Sequence, residues 1–394
     1  MQNSIRKTAG ILFTLILIGG MIFLRARISY TTFDFQSSNF TFFWLAGRMV
    51  LEGESPYDEA QYLAGHETYG IKWQPNKIFP YPLPLAILCV PLGLMSLPTA
   101  YITWQVLTLV IIAASIFILL SRWPDPAPRM LLVPTFASMF FFGPVYLTLH
   151  TGSVGALALI SILGAIVLLE KDKPLAAGML LSLTMLKPPQ GLTILILAGI
   201  WFLAQKNWKA IWGVAIGGVA LLVIGMMQDP LWLIKFRAAS EAVMDRTQGV
   251  HSNVWAFSYL ICEGAAPCST LLGGTLGLVL LGLGGFYLWQ DQARVKAWDA
   301  FNIILPVAFM STIYLWAYDQ LPYLIPIVWI SAALVTKTKS FIPAFLFLIV
   351  LDVFSLFALF QQASTQKDLW SLGNSVLVLG MVLAMKFLKP EKTG

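Results

Sequence analysis

Apolar blocks follow one another along nearly the whole chain, closely spaced and mostly separated by short loops that carry Lys or Arg. A helix needs about 20 mainly apolar residues to cross a bilayer, so the pattern predicts an all-α polytopic membrane protein with about twelve transmembrane helices. The pattern breaks early. Phe33 to Tyr81 is a long polar segment containing Trp and Tyr, set after a single first apolar block, Ile11 to Leu24. A second polar stretch runs from Gln228 to Ser269. We read residues 1–394 as one integral membrane domain with two large loops, 29–81 and 228–269.

Composition agrees. Hydrophobic residues make up 58% of the chain and charged residues 11%, with a mean hydropathy of +0.77. Soluble domains carry about a quarter charged residues, so that class is excluded. The net charge of +6 does not imply nucleic-acid binding, because Lys and Arg fall in pairs between apolar blocks rather than on one face. They report orientation. Ile11 to Leu24 resembles a signal peptide, but Arg25 and Arg27 stand where a cleavage site needs small residues, and we expect a retained first helix.

Placing each basic pair in the cytoplasm gives one consistent threading. Arg6 and Lys7, Arg122 and Arg129, Lys171 and Lys173, Lys206 and Lys209, Arg294 and Lys296, Lys337 and Lys339, and Lys386, Lys389 and Lys392 fall on one side. Both termini are then cytoplasmic. The opposite face collects the two long loops, the His150-Thr151-Gly152-Ser153 turn, Lys187-Pro188-Pro189, the Tyr318-Asp319 turn and Gln361 to Trp370. The Pro-rich block Pro82 to Leu97 is short and reads as a re-entrant or partial span lining a cavity. A rival threading makes it a full span, fuses Pro174 to Ala204 into one crossing and moves Arg122 and Arg129 outside. Lys187 would then sit in mid-membrane at a cost of several kcal/mol. Cys89 is a packing residue. Cys262 and Cys268 share a loop where a disulfide can persist, though spacing alone leaves their pairing open.

Asp34-Phe35, Ala46-Gly47-Arg48 with Leu51-Glu52-Gly53, Ser55-Pro56-Tyr57-Asp58, and Phe79-Pro80-Tyr81-Pro82-Leu83-Pro84 with Pro91-Leu92 occur in that order. Together they resemble the amino-terminal signature of glycosyltransferase family 87. The turn at His150 to Ser153, Leu186-Lys187-Pro188 and Tyr318-Asp319 extend the likeness to about Trp329. Thr151-Gly152-Ser153 lacks the family's Asn and Gln, and Gln320 stands where an aromatic residue is usual. The resemblance implies a C-type glycosyltransferase bundle in the cell membrane, with a helical first extracytoplasmic loop bearing the catalytic acid residue. It also implies a polyprenyl-phosphate sugar donor, largely mannose, and a glycan, glycolipid or protein acceptor.

Such a transfer needs a base for the acceptor hydroxyl, a cation for the leaving phosphate and a dry pocket for the lipid. Asp34, at a helix end near the water boundary, suits the first role as the single base of an inverting displacement; its bland reading is a helix cap. Lys187 suits the second, with Arg237, Arg246 and His251 as further phosphate ligands. Arg48, Tyr81, His150, Tyr318 and Asp319 are placed in the substrate pocket, Asp319 either near the sugar or as partner of Lys187. Asp58 should shape its loop. Phe79 to Leu97 with Phe136 to Tyr146 suits an isoprenoid groove. The spacing of His, Cys and Asp suggests no metal and no cofactor. Two other readings compete: a transporter or flippase of lipid-linked glycans, and a polysaccharide ligase or polymerase.

Overall fold

The computed structural model describes residues 16, 18–20, 38–72, 76–290 and 296–387, and every regular element within them is helical. Most of Ile11 to Leu24, and Asp34 with it, lie outside the described residues. The first loop supplies α1 (Phe40–Glu52) and α2 (Glu59–Thr68), and the Pro-rich block α3 (Leu83–Leu88) and α4 (Val90–Gly93). There follow α5 (Leu97–Ser121), α6 (Leu132–Ser138), α7 (Gly143–Thr151), α8 (Gly155–Glu170), α9 (Pro174–Leu181) and α10 (Pro188–Ala204). Next come α11 (Trp208–Gln228), α12 (Trp232–Arg246), α13 (Val254–Ile261) and α14 (Ala266–Gln290). The chain closes with α15 (Ala297–Ser311), α16 (Leu324–Thr338), α17 (Ile342–Thr365) and α18 (Leu372–Phe387).

Among the described residues, five helices are long and apolar enough to cross a membrane: Leu97–Ser121, Trp208–Gln228, Ala266–Gln290, Ala317–Thr338 and Ile342–Thr365. Ala127–Ser138 and Gly143–Thr151 make a sixth if their 54° bend is one broken span. The expected twelve full spans are therefore not all present as long helices. Five further apolar helices, among them Pro174–Leu186 and Pro188–Ala204, are shorter. Proline explains part of this, since it is tolerated at a helix start but ends the helix before it. The block Pro82 to Leu97 holds only two short helices, broken at Cys89 and neither long enough to span. It packs on α1 so closely that a Cβ on Gly47 would meet the Cys89 carbonyl at 2.5 Å.

Among the described residues, Arg122, the Lys337–Lys339 turn and the turn after Glu170 gather at one end of the bundle. Arg122 donates to Glu170 at 2.5 Å, Trp123 Nε1 to Thr336 Oγ1 at 2.7 Å, and Lys339 lies 3.8 Å from Asp125. Gly178 packs against Ala210 and Val214, and Gly213 against Leu175, so the Lys173 end of α9 and the Lys209 end of α11 are level. The chain must therefore reverse at Lys187, where a Cβ on Gly191 would strike the Thr184 carbonyl. This geometry rejects the rival threading that fused Pro174 to Ala204 into one crossing. At the other end, Gln105 Nε2 donates to Leu149 O at 2.6 Å and Trp104 Nε1 to Ser153 O at 3.3 Å. His150, Lys187, Tyr318 and Gln366, from four of the turns expected on the functional face, meet around one cavity there.

Among the described residues, two large buried apolar clusters and a small third one of Leu147, Ala317 and Tyr318 hold the molecule. The largest runs through the bundle and includes Phe136, Phe202, Phe301, Phe309 and Tyr323. The second seats the first loop, joining Phe40 and Phe43 of α1 to Tyr62, Phe79 and Tyr101.

Candidate active site

The first loop is pinned where two of the sequence motifs dock on each other. Phe79 N–H donates to Pro56 O at 2.9 Å, and the Tyr57 hydroxyl donates to Tyr81 O at 2.6 Å. Asp58 accepts from Gln61 N–H at 2.9 Å and so caps α2, the loop-shaping role expected of it. Tyr81 is thereby fixed with its ring against Phe43 and Phe79.

The turn after α7 is set by Gly152, whose φ of +66° suits glycine and which sits under Phe40, a Cβ there meeting the Phe40 Cβ at 2.6 Å. One turn earlier, His150 stacks on Tyr146 with ring centroids 5.6 Å apart.

Lys187 ends the 3-10 turn Ser182–Leu186 and precedes Pro188 and Pro189, which open α10. Its ammonium is buried, 7% exposed, and bonded to the Asp319 carboxylate, 1% exposed. Three tyrosine rings surround Lys187 Nζ, with centroids at 4.8 Å (Tyr318), 5.8 Å (Tyr314) and 5.9 Å (Tyr81). The second Asp319 oxygen accepts from Trp316 N–H at 3.0 Å, capping the 3-10 turn Ala317–Tyr323. Of the two alternatives for Asp319, the structure gives the ion-pair partner.

These elements enclose a cavity of about 970 Å³. Its polar end is formed by Tyr81, His150, Lys187, Tyr314, Trp316 and Tyr318, with Arg246 and Asn76 at the rim, where Arg246 Nη2 donates to Asn76 Oδ1 at 2.5 Å. Phe140, Leu147, Leu356, Leu359 and Phe360 form an apolar wall between α7 and α17. A third wall is the stripe Phe236, Ser240, Val243, Met244 and Thr247 of α12, spaced as one helix face requires. No Asp or Glu lines the cavity among the described residues. Nor do three or more His, Cys, Asp and Glu side chains gather there as a metal-holding group.

Among the described residues, four expected site residues do not line the cavity, Asp319 because it is buried behind Lys187 as its ion-pair partner. Arg48 sits on the far side of α1, where Nε bonds Glu52 at 2.6 Å and Nη1 bonds Gly93 O at 3.3 Å; its charge is answered within the loop. Arg237 is exposed and paired with Glu241 one turn on, at 2.8 Å, because the opposite face of α12 carries the cavity stripe. His251 is buried behind the aromatic wall, with its ring 4.4 Å from that of Tyr314 and 5.1 Å from that of Trp316. Its Nε2 meets Thr247 Oγ1 at 3.1 Å, and burial with the Lys187 charge pushes its imidazole down to about 4. Of the groove expected from Phe79 to Leu97 with Phe136 to Tyr146, Pro80, Tyr81, Pro82, Phe140 and Tyr146 line the cavity, whereas Leu83 to Leu97 do not. The Tyr314-Leu315-Trp316-Ala317-Tyr318 alternation and the α12 stripe are visible in the sequence, yet neither was assigned to the site as a unit.

A family model describing glycosyltransferase family 87 matches residues 79–313, more than half of the chain. The chain belongs to glycosyltransferase family 87. It is a membrane glycosyltransferase, and this excludes the transporter reading. Within the family match fall the Phe79-Pro80-Tyr81 motif, the His150 turn and Lys187, whereas Asp34 and Tyr318-Asp319 lie beyond it. No curated protein and no solved structure matches the chain at a significant level.

Proposed function

We propose that this glycosyltransferase moves a hexose, mannose in the first instance, from polyprenyl phosphate to a glycan, glycolipid or protein acceptor on the extracytoplasmic face. The observation that carries this reading is the two-ended cavity: cationic and aromatic at one end, apolar and open toward Leu356 and Phe360 at the other, both exposed. Such a shape fits a sugar phosphate attached to a hydrocarbon chain, and its volume is at the upper end of ordinary ligand sites, about 300–1,000 Å³.

Asp34 is the base in this proposal. The cavity lining carries no carboxylate of its own among the described residues, and Asn39 and Phe42, just downstream, belong to it. Five residues of chain reach at most about 18 Å, a tether from Asn39 that permits a base at the cavity. It takes the hydroxyl proton as that oxygen attacks the anomeric carbon, and polyprenyl phosphate departs with the bonding pair. Arg246 and Asn76 meet the phosphate, while Lys187, its charge balanced by Asp319, lends field rather than direct contact. Trp316 and Tyr318, stacked at 6.1 Å, offer a face for the sugar. The disulfide between Cys262 and Cys268 supports an oxidising compartment at this end of the bundle, and the basic pairs at the opposite end support a cytoplasmic side there.

The test replaces Asp34 by Asn and follows transfer from a labelled mannosyl polyprenyl phosphate in membranes. Loss of a general base lowers turnover by about 10²-fold or more. Undiminished transfer at equal protein level rules Asp34 out.

A further inference from the structure

Asp368 follows α17, is 1% exposed and takes no part in the transfer as described above. It ties three segments together. Its N–H donates to Val250 O at 2.7 Å, its Oδ2 accepts from Ala317 N–H at 2.7 Å, and Ser371 N–H donates to its carbonyl at 2.9 Å. Each of those segments adjoins the cavity: Thr247 precedes Val250, Ala317 separates Trp316 from Tyr318, and Gln362 and Gln366 precede Asp368. Gln320 reinforces the same junction through Ser252 Oγ at 3.3 Å and Ser371 O at 3.0 Å.

The other oxygen of Asp368, Oδ1, is fully buried and has no partner among the described residues. A buried carboxylate with one donor and no cation is costly, whereas the neutral acid still accepts through Oδ2. No cation is available to it, because Lys187 is committed to Asp319. The titratable groups around it are Asp319, Tyr314 and Tyr318 on the aromatic segment, His251 on the segment after α12, and Lys187 before α10. Lys367, on its own turn, is exposed.

We propose that Asp368 is a positioning residue held as the neutral acid, whose grip on Ala317 sets the Trp316 and Tyr318 rings of the donor site, and whose ionisation loosens them. Burial pushes this carboxyl up to about 7 although the Ala317 hydrogen bond favours the charged form, and the Asp319 charge adds to the rise. Ionisation opens the junction because the charge is buried with Oδ1 unpartnered, not because the Ala317 bond itself weakens. A raised carboxyl stabilises the fold only while protonated. Its contribution is lost as pH rises from the ordinary 3.8 toward about 7.

The experiment uses the full chain in detergent with Asp368→Asn and Asp368→Ala, in two arms. Thermal unfolding between pH 5 and pH 8.5 reads Asp368 as a difference, because the other titrating groups tilt both profiles alike: relative to the wild type, Asp368→Asn, neutral throughout and still able to accept from Ala317, gains midpoint as pH rises from 5 to about 7. Parallel or coincident wild-type and Asn profiles overturn the proposal. Binding of tritiated decaprenyl phosphate reads the site and rests on the donor assignment made above. Wild-type binding weakens above pH 7, Asp368→Asn holds it, and Asp368→Ala weakens it about tenfold at every pH, the worth of one hydrogen bond to a charged or buried group. An Ala variant that binds like wild type, or an Asn variant as weak as Ala, overturns it too. Absence of binding by the wild type at every pH refutes the donor assignment alone, and the unfolding arm still judges Asp368.

Discussion

Lys187 and Asp319, 132 residues apart in the chain, form a buried ion pair at the polar end of the cavity. The pair joins the reversal between α9 and α10 to the aromatic segment before α16, so it fixes the distance between two walls. Removing one partner strands the other charge, at a cost of about 3–5 kcal/mol. Lys187→Met and Asp319→Leu should each lower the unfolding midpoint in detergent sharply, and the double variant should recover part of it. Additive losses in that cycle contradict the coupling.

Arg246 and Arg237 lie on one helix, but only Arg246 reaches the cavity. Arg246→Gln should weaken binding of polyprenyl phosphate about tenfold or more, as for a lost hydrogen bond to a charged group. Arg237→Gln loses only an exposed, solvent-screened i,i+4 pair and should bind normally. Equal effects in a filter-binding assay contradict this division.

His251 supplies an acid limb to stability. Its folded value, about 4, lies below the ordinary 6.5, so the unfolded chain takes up the proton first as pH falls. The stability it contributes is whole above pH 6.5 and is lost between there and about 4, roughly 3 kcal/mol in all. Relative to the wild type, His251→Gln should gain unfolding midpoint as pH falls from 7.5 to 4.5, and a constant difference between the two profiles refutes the assignment.

Gly178 lets α9 and α11 meet backbone to backbone. Gly178→Val pushes on the Ala210 carbonyl, which no rotamer change can relieve, and should destabilise by about 1–3 kcal/mol or more. Gly199, with nothing within 4 Å of a Cβ, is the control, and Gly199→Ala should leave the yield of folded protein in detergent unchanged.

The helical class and the grouping of polar turns at one end were legible because a bilayer imposes them on hydropathy and on Lys and Arg placement. Lys187 was legible as a break in an apolar run, and Tyr81 and Tyr318 through their motifs. Span count was less so: Pro174, Pro188 and the bend before Gly143 divide apolar stretches into helices shorter than a crossing. Arg48 and Arg237 misled because a charge in a loop does not reveal which helix face it occupies. Asp368 gave no signal at all, for its value comes from Val250 and Ala317, contacts that only folding creates.

The cavity's open hydrocarbon side has a bearing on what the enzyme can tell apart. On the proposed polyprenyl donor, a tail leaving past Leu356 and Phe360 would enter the bilayer after its first few isoprene units, so that those units alone would be gripped and the rest would trail free among the lipids. Carriers differing only at the distal end should then serve equally well, and selectivity must come from the sugar, the phosphate and the saturation of the proximal isoprenes.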